Sequence, residues 1–398
     1  MNKLMSCITC GSNVVSLSSR SIREIPVTRR RISVPKALGV TSKDGFMWAN
    51  SEDGANSTSN YQSLSLTPNF ILPVERRPNL EQVYNDGIPV IDMGEGDTST
   101  LIERIARASE EYGLFLITNH GIPSELCESM LSAVTNLFHL PPQAKSVLVS
   151  DDPTKDVRIA NHYRKVEENG IQQRKKFSMW SEVFKHPWHP TDDGFIALLP
   201  SDPPEYRTVV AEYARQMGGL MSRLLNLMSQ GLGLDGNHLL KVLGRNPLCR
   251  AQANYYPPCS KPDLTLGLGV HTDRDALTVV LPSPNVAGLQ IMKDDKWIAV
   301  DPVPNALVVN LGDQLQILSN GRYKSVVHRV VTNEHQSRVS LALFYGPDKD
   351  AFIGPVDSLI DEQHPPAYRH YYFREFLEEY RNQEGKNRKI KEAFEIRR

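Results

Sequence analysis

His271-Thr272-Asp273 opens and Arg338-Val339-Ser340 closes the stretch that decides how this chain folds, with His328 between them in Ser325-Val326-Val327-His328-Arg329-Val330-Val331. In an extended strand, residues i and i+2 share a face. One strand carrying His271 and Asp273 therefore offers an imidazole and a carboxylate to a single point. The run around His328 reads as a second strand. If the two are neighbours, two imidazoles and a carboxylate meet on one side of a metal. That facial set leaves coordination positions open and suits Fe(II) used for oxygen chemistry. Arg338 and Ser340 repeat the i, i+2 geometry. A two-pronged guanidinium beside a hydroxyl is a seat for a carboxylate. Taken singly these signals are weak, because His-x-Asp is common by chance and an isolated histidine is more often packing than ligand. Their combination and order carry the signal. Asp275, two residues past Asp273, is the rival for the carboxylate position.

Outward from this stretch, from Cys249 onward, the chain is a series of short apolar runs with turn signals between them. Residues 250–256, 276–281, 288–292, 297–300, 306–310, 323–331 and 338–345 read as strands, with Asp294-Asp295 and Asn320-Gly321 as hairpin turns. Many short strands at regular spacing imply a sandwich or barrel. Upstream the pattern is mixed. Residues 88–92 and 114–118 read as strands. A helix with Leu101, Ile105, Ala108 and Tyr112 at helical spacing lies between them, opened by a Thr100/Glu103 capping box and stopped by Gly113. A second helix starts at Pro123-Ser124, with Leu126, Met130, Val134 and Leu137 on one face. A third opens at Pro203-Pro204-Glu205 and runs to about Gly231, and a shorter one covers 236–243. Residues 151–195 read as polar and irregular, and 371–381 and 385–394 as charged terminal helices. His120 lies in a turn and reads as structural, and His186 and His189 as surface or packing histidines.

With 45 basic and 46 acidic residues in 398, the net charge is −1, which leaves no electrostatic footprint for nucleic acid. No apolar run of about 18 residues suggests a membrane span. The five cysteines are too scattered for a disulfide framework, which fits a reducing compartment. Cys7-Ile8-Thr9-Cys10 has no second pair to complete a zinc site. Residues 1–43 hold one acidic residue, Glu24, against eight Lys or Arg, with many Ser. That composition reads as a plastid transit-like peptide or, alternatively, a disordered tail on a cytoplasmic protein.

The ordered set His271-Thr272-Asp273, His328 and Arg338-Val339-Ser340 resembles the plant 2-oxoglutarate- and Fe(II)-dependent dioxygenases. Asn254-Tyr255-Tyr256-Pro257-Pro258-Cys259, Asn119-His120-Gly121-Ile122-Pro123 and Leu311-Gly312-Asp313-Gln314-Leu315-Gln316 match segments of that family. Ser150-Asp151-Asp152-Pro153-Thr154-Lys155 and residues 318–326 are similar to its downy-mildew-susceptibility (salicylate 5-hydroxylase-like) branch. The resemblance spans about residues 70–380. It implies a mainly β fold with flanking helices, built on a double-stranded β-helix (jelly roll, cupin-like) core. The expected organisation is an N-terminal extension (1–62), an N-terminal helical region (63–245), the jelly-roll core (246–350) and C-terminal helices (351–398). It favours Asp273 over Asp275, so that His271, Asp273 and His328 hold Fe(II). Arg338, with Ser340 and Tyr256, would take the distal carboxylate of 2-oxoglutarate, and Asn254 the metal-proximal one. Ascorbate would be an activator. Arg158, His162, Phe177, Phe344 and Tyr345 are expected to line the substrate pocket. The expected activity is hydroxylation, demethylation or desaturation of a small metabolite by O2, in a monomer, with succinate and CO2 released. The alternatives are a 2-oxoglutarate-independent or ascorbate-dependent oxidase on the same scaffold, and an inactive binding module.

Overall fold

The computed structural model describes residues 66–85, 87–167, 174–383 and 390–396, together with a pairing of Phe46–Met47 and Thr58–Ser59. The side chains of 162–176 are not among those described, and most of the N-terminal extension, including Cys7 and Cys10, lies outside the described residues.

Two sheets face each other. The larger has eight strands in the order Val90–Asp92, Leu114–Thr118, Leu307–Leu311, Leu277–Pro282, Arg338–Gly346, Leu248–Tyr256, Arg174–Pro187 and Arg158–Glu167. The smaller has five: Val83–Tyr84, Lys296–Ala299, Leu289–Lys293, His328–Val330 and Leu268–His271. Most neighbours are antiparallel. The large sheet thus draws four of its strands from before residue 246.

Period-two alternation sorts the side chains of the central strands. Val339, Leu341, Leu343 and Tyr345 point outward into the main core, as do Leu277, Val279 and Leu281, Leu307, Val309 and Leu311, and Ala251, Ala253 and Tyr255. There they meet helices Thr98–Glu111, Ser124–Phe138 and Tyr206–Gly231, whose Ile105, Val134, Met217, Leu224 and Met228 are buried in the same cluster. The alternate residues of those strands face inward between the sheets. At one end a second core of Leu114, Leu116, Ile291, Ile298, Val308 and Val330 fills that space. At the other end the inward residues are polar, and there the candidate site lies.

Several local expectations are corrected. Residues 151–195 are not irregular: Arg158–Glu167 and Arg174–Pro187 pair as a long antiparallel ribbon on the edge of the large sheet. The helix preceding Gly113 is capped by Asp97, whose carboxylate accepts from the Ser99 and Thr100 backbone N–H groups. Gly113 does stop it, at φ +68°, where a Cβ would collide with the Lys324 carbonyl. Asp294 and Asp295 form the expected hairpin turn with φ of 49° and 57°. Asn320-Gly321 instead follows a short helix, Asp313–Leu318. Only His328–Val330 of the 323–331 run is a strand. The residues before it find partners elsewhere: Tyr323 N–H donates to Ser319 Oγ, Tyr323 OH to the Met228 carbonyl, and Ser325 N–H to Gln316 Oε1. At the C-terminus, Phe373–Asn382 is helical; of the helix expected over 385–394, residues 385–389 lie outside the described residues and Lys391–Phe394 forms a single 3-10 turn.

Candidate metal and cosubstrate site

His271 and His328 stand directly opposite each other on paired antiparallel strands. Their rings lie 4.1 Å apart, centroid to centroid. Each Nδ1 faces a backbone carbonyl, Gly269 at 2.8 Å and Val326 at 3.1 Å, so Nδ1–H donates and Nε2 is left with its lone pair. This is the arrangement that fixes a metal-binding histidine. The two Nε2 atoms lie 3.7 and 3.8 Å from the same Asp273 Oδ1. Three acceptors therefore converge at distances too long for hydrogen bonds, which repels unless a cation sits among them. The ligand atoms all fall within 4.8 Å of one another, and the donor set fits Fe(II).

Asp273 reaches this point differently from the strand reading. The strand ends at His271, and Asp273 sits in the turn beyond it. That turn is clasped by the start of the Asp313–Leu318 helix. Asp313 N–H donates to the Asp273 carbonyl (2.8 Å) and Gly312 N–H to the Ala276 carbonyl (2.8 Å). A Cβ on Gly312 would lie 2.0 Å from the Asp275 carbonyl oxygen, so only glycine permits the clasp. Asp275 is turned away from the cluster. Its buried carboxylate lies 2.5 Å from Arg250 and 3.4 Å from Arg274. Burial pushes its pKa up, but the two guanidiniums outweigh that and hold it below the ordinary carboxylate value.

Two contacts to this turn escaped the sequence reading. Asn310 Nδ2 donates to Asp273 Oδ2 at 3.3 Å. A single Asn inside the buried apolar strand Leu307–Leu311 was the available signal. Asp313, buried behind the turn, accepts from Thr272 Oγ1 and Ser325 Oγ and lies 3.5 Å from Lys391 Nζ. Burial raises its pKa in spite of those partners.

Beside the trio, four inward residues form a patch across two paired strands, with Arg338 opposite Tyr256 and Ser340 opposite Asn254. The Arg338 guanidinium stacks 5.3 Å over the Tyr256 ring, and its Nη1 lies 3.5 Å from Ser340 Oγ. Asn254 Nδ2 lies 3.4 Å from that same oxygen. Arg338 is 6% exposed and borders a small cavity between the sheets. Its Nε has no hydrogen-bond partner, and no carboxylate pairs with the guanidinium among the described residues. Burial lowers its pKa from the usual arginine value, against the opposing pull of Tyr256. A buried cation with an unmet donor is costly unless an anion completes it. A dicarboxylic acid fits that need.

The expected pocket residues separate. Phe344 shares the inward face of Arg338 and Ser340, while Tyr345 points the other way and packs in the outer core. Phe177 is packed with Leu72, Met179 and Leu266. Arg158 turns back to the carbonyls of Pro153 and Lys155. The His162 side chain lies outside the described residues. His120 Nε2 lies 3.2 Å from the Asn305 carbonyl, a structural contact. His186 is buried, with Nε2 2.9 Å from Tyr206 OH, and packs rather than binding metal.

Residues 249–347 match the 2OG-Fe(II) oxygenase superfamily, and residues 88–205 match the N-terminal region of the non-haem dioxygenases in morphine synthesis. The chain is 38% identical over 338 residues to Protein DMR6-LIKE OXYGENASE 1 of Arabidopsis thaliana, covering 83% of this chain and 94% of that one. The chain belongs to the 2OG-Fe(II) oxygenase superfamily. It is also 37% identical to flavanone 3-dioxygenase 2 of rice, over 78% of this chain and 89% of that protein. A crystal structure of JOX2 in complex with 2OG, Fe and JA superposes with a TM-score of 0.73 at 35% identity, covering 84% of this chain and 95% of that one. The protein is a 2-oxoglutarate- and Fe(II)-dependent dioxygenase with the jelly-roll fold of that superfamily, and its relatives include the downy-mildew-resistance type. Among the described residues no helix is long and apolar enough to cross a membrane.

Proposed function

We propose that His271, Asp273 and His328 hold the Fe(II) of this dioxygenase, that Arg338, Ser340, Tyr256 and Asn254 hold its 2-oxoglutarate, and that it hydroxylates a small plant metabolite of the phenolic, flavonoid, terpenoid or alkaloid classes. Demethylation or desaturation is open to the same oxidant. The observation that carries this reading is the convergence of three lone-pair donors beside a buried guanidinium with an unmet donor. Flavanone 3-dioxygenase and hyoscyamine 6-dioxygenase, a phenolic-type and an alkaloid-type enzyme by name, support the substrate classes.

When bound, iron and 2-oxoglutarate supply the oxidation: O2 is consumed, succinate and CO2 are released, and one C–H bond is oxidised. The chain's own residues do the rest. The Gly269 and Val326 carbonyls lock both imidazoles in the tautomer that leaves Nε2 open. Asn310 steadies the Asp273 carboxylate by donating to its second oxygen. With 2-oxoglutarate bound, Arg338 would pair with its distal carboxylate, and the Ser340 and Tyr256 hydroxyls would donate to that group and fix its direction. Asn254 would hold the other carboxylate, and Phe344 would line the substrate side. The apolar inner core excludes water from the closed end.

The test is turnover by the purified full chain with Fe(II), 2-oxoglutarate and ascorbate as activator, against a panel of such metabolites. Succinate formed in step with an oxidised product is expected. A product formed without 2-oxoglutarate would instead favour an oxidase on this scaffold. We place the enzyme as a monomer in four parts (1–62, 63–245, 246–350 and 351–398), in the plastid if the first is a transit peptide and in the cytoplasm if it is a disordered tail. The acid-poor, Arg- and Ser-rich composition of residues 1–43 supports the plastid assignment. Cytoplasmic fluorescence from a fusion carrying residues 1–62 would contradict the plastid assignment.

A further inference from the structure

The C-terminal segment reaches back to the metal-ligand turn. Ile390 and Phe394 anchor it, both buried in the main core, with the Phe394 ring 4.2 Å from that of Tyr371. Backbone bonds add to the anchor: Arg369 N–H donates to the Phe394 carbonyl and Ile396 N–H to the Ala367 carbonyl, each at 2.9 Å. Lys391 sits between these fixed points, its side chain 19% accessible. An ammonium offers three protons. Nζ donates to Gln316 Oε1 at 3.1 Å and to the Ser325 carbonyl at 3.4 Å, and it pairs with Asp313 Oδ1 at 3.5 Å.

Those three partners stand directly behind the metal ligands. Asp313 N–H donates to the Asp273 carbonyl. Asp313 Oδ2 accepts from Thr272 Oγ1 at 3.3 Å, between His271 and Asp273 in the chain. Asp313 Oδ1 accepts from Ser325 Oγ at 2.7 Å, on the run that leads to His328. One carboxylate thus ties the turn bearing Asp273 to the run bearing His328, with one oxygen for each. Gln316 Oε1 strengthens the second tie by accepting the Ser325 N–H at 2.8 Å. The Asp313 side chain is only 2% accessible, and Asp273, of the same sign, repels it. A buried carboxylate needs a cation as well as hydrogen bonds. Lys391 is that cation.

We propose that Lys391 is a positioning residue for the iron site, keeping Asp273 and His328 converged by neutralising Asp313 and holding Gln316 and Ser325. It touches neither the metal nor the substrate. Its effect passes through Asp313, as partners behind metal ligands commonly act. Without the ammonium, the carboxylate that clasps both ligand-bearing segments faces Asp273 uncompensated, and the clasp loosens. This rests on the function proposed above and adds to its iron site a contribution from the C-terminal segment.

The experiment is anaerobic titration of the full chain with Fe(II) alone, with circular dichroism to verify folding. A parallel titration with Co(II) reads the ligand geometry from the visible absorption of the bound ion. Lys391→Met is expected to bind Fe(II) about 10- to 100-fold more weakly than wild type, the range for losing a partner behind a metal ligand, and to change the Co(II) spectrum. Lys391→Arg, which keeps the charge, should restore most of the affinity and the wild-type spectrum. Ser325→Ala removes one tie and leaves the lysine in place; it should weaken Fe(II) binding in the same direction, and it carries the test if Lys391→Met does not fold. A folded Lys391→Met with wild-type Fe(II) affinity and Co(II) spectrum would overturn the proposal, even if its thermal stability falls. So would a Lys391→Arg variant as weak as Lys391→Met, or a folded Ser325→Ala that binds Fe(II) as wild type does. Failure of wild type itself to bind Fe(II) would instead overturn the proposed function beneath it.

Discussion

Arg338 shows how much one buried side chain can decide. A guanidinium placed between two sheets without a carboxylate partner among the described residues is tolerated only if a ligand completes it. Losing its charge-assisted bonds should cost about 1.5–3 kcal/mol, roughly a 10- to 150-fold change in affinity. Arg338→Ala is therefore expected to raise the 2-oxoglutarate KM by that factor and to leave Fe(II) binding intact. Titrating turnover against 2-oxoglutarate checks it, and an unchanged KM would remove Arg338 from its role. His186 makes the opposite case, a titratable group used for packing. Burial pulls its pKa down from 6.5 to about 4, against the pull of the Pro187 carbonyl. Because the folded value is depressed, the unfolded chain takes up the proton first as pH falls. The contribution is complete above about pH 6.5 and is lost on the way to pH 4, on the order of 3 kcal/mol. The Tm of wild type should accordingly fall more steeply over that window than that of His186→Gln. Parallel slopes would contradict this.

At the scale of elements, the ligands are delivered by three different devices, and they were unequally legible. The Arg338–Gly346 strand follows from alternation that any reader of the sequence can count, whereas alternation puts His271 and His328 on strands without saying that the two strands pair. The turn that carries Asp273 does not follow from alternation. Its shape is imposed by Gly312 and Asp313 from forty residues away, and no local pattern announces that clasp. The Arg158–Glu167 and Arg174–Pro187 ribbon was hidden for another reason. An edge ribbon tolerates Lys and Arg on its rim, so its composition reads as loop. Phe344 and Tyr345 differ only in which face of one strand they occupy, and alternation from Ser340 separates them. A buried Lys145–Glu182 pair fastens the ribbon to the helical layer. Lys145 Nζ reaches Glu182 at 2.8 Å and the Phe138 carbonyl at 3.0 Å, with both side chains fully buried. Lys145→Met leaves a carboxylate buried without its cation and should cost about 3–5 kcal/mol in chemical denaturation. Adding Glu182→Leu should restore most of it. A single variant as stable as wild type would show that the pair fastens nothing.

Over the whole molecule, the outer core and the inner core lie on opposite sides of one sheet, and the site occupies the end the inner core leaves polar. That division follows from strands whose alternate residues are apolar outward and either apolar or polar inward. The sequence therefore disclosed the class of the enzyme and the identity of the converging residues. Residues that face one another across strands, such as Arg250, Phe344, Thr278 and Asn310, lie far apart along the chain, and no local pattern announces them. Every proposed role in the site depends on three side chains, His271, Asp273 and His328, being able to grip one iron. Anaerobic equilibrium dialysis of the full chain with Fe(II), run on wild type and on Asp273→Ala side by side with circular dichroism to verify folding, measures that directly. One tightly held iron per chain in wild type and none in the folded variant is the predicted result. Equal iron content in the two folded proteins would contradict it.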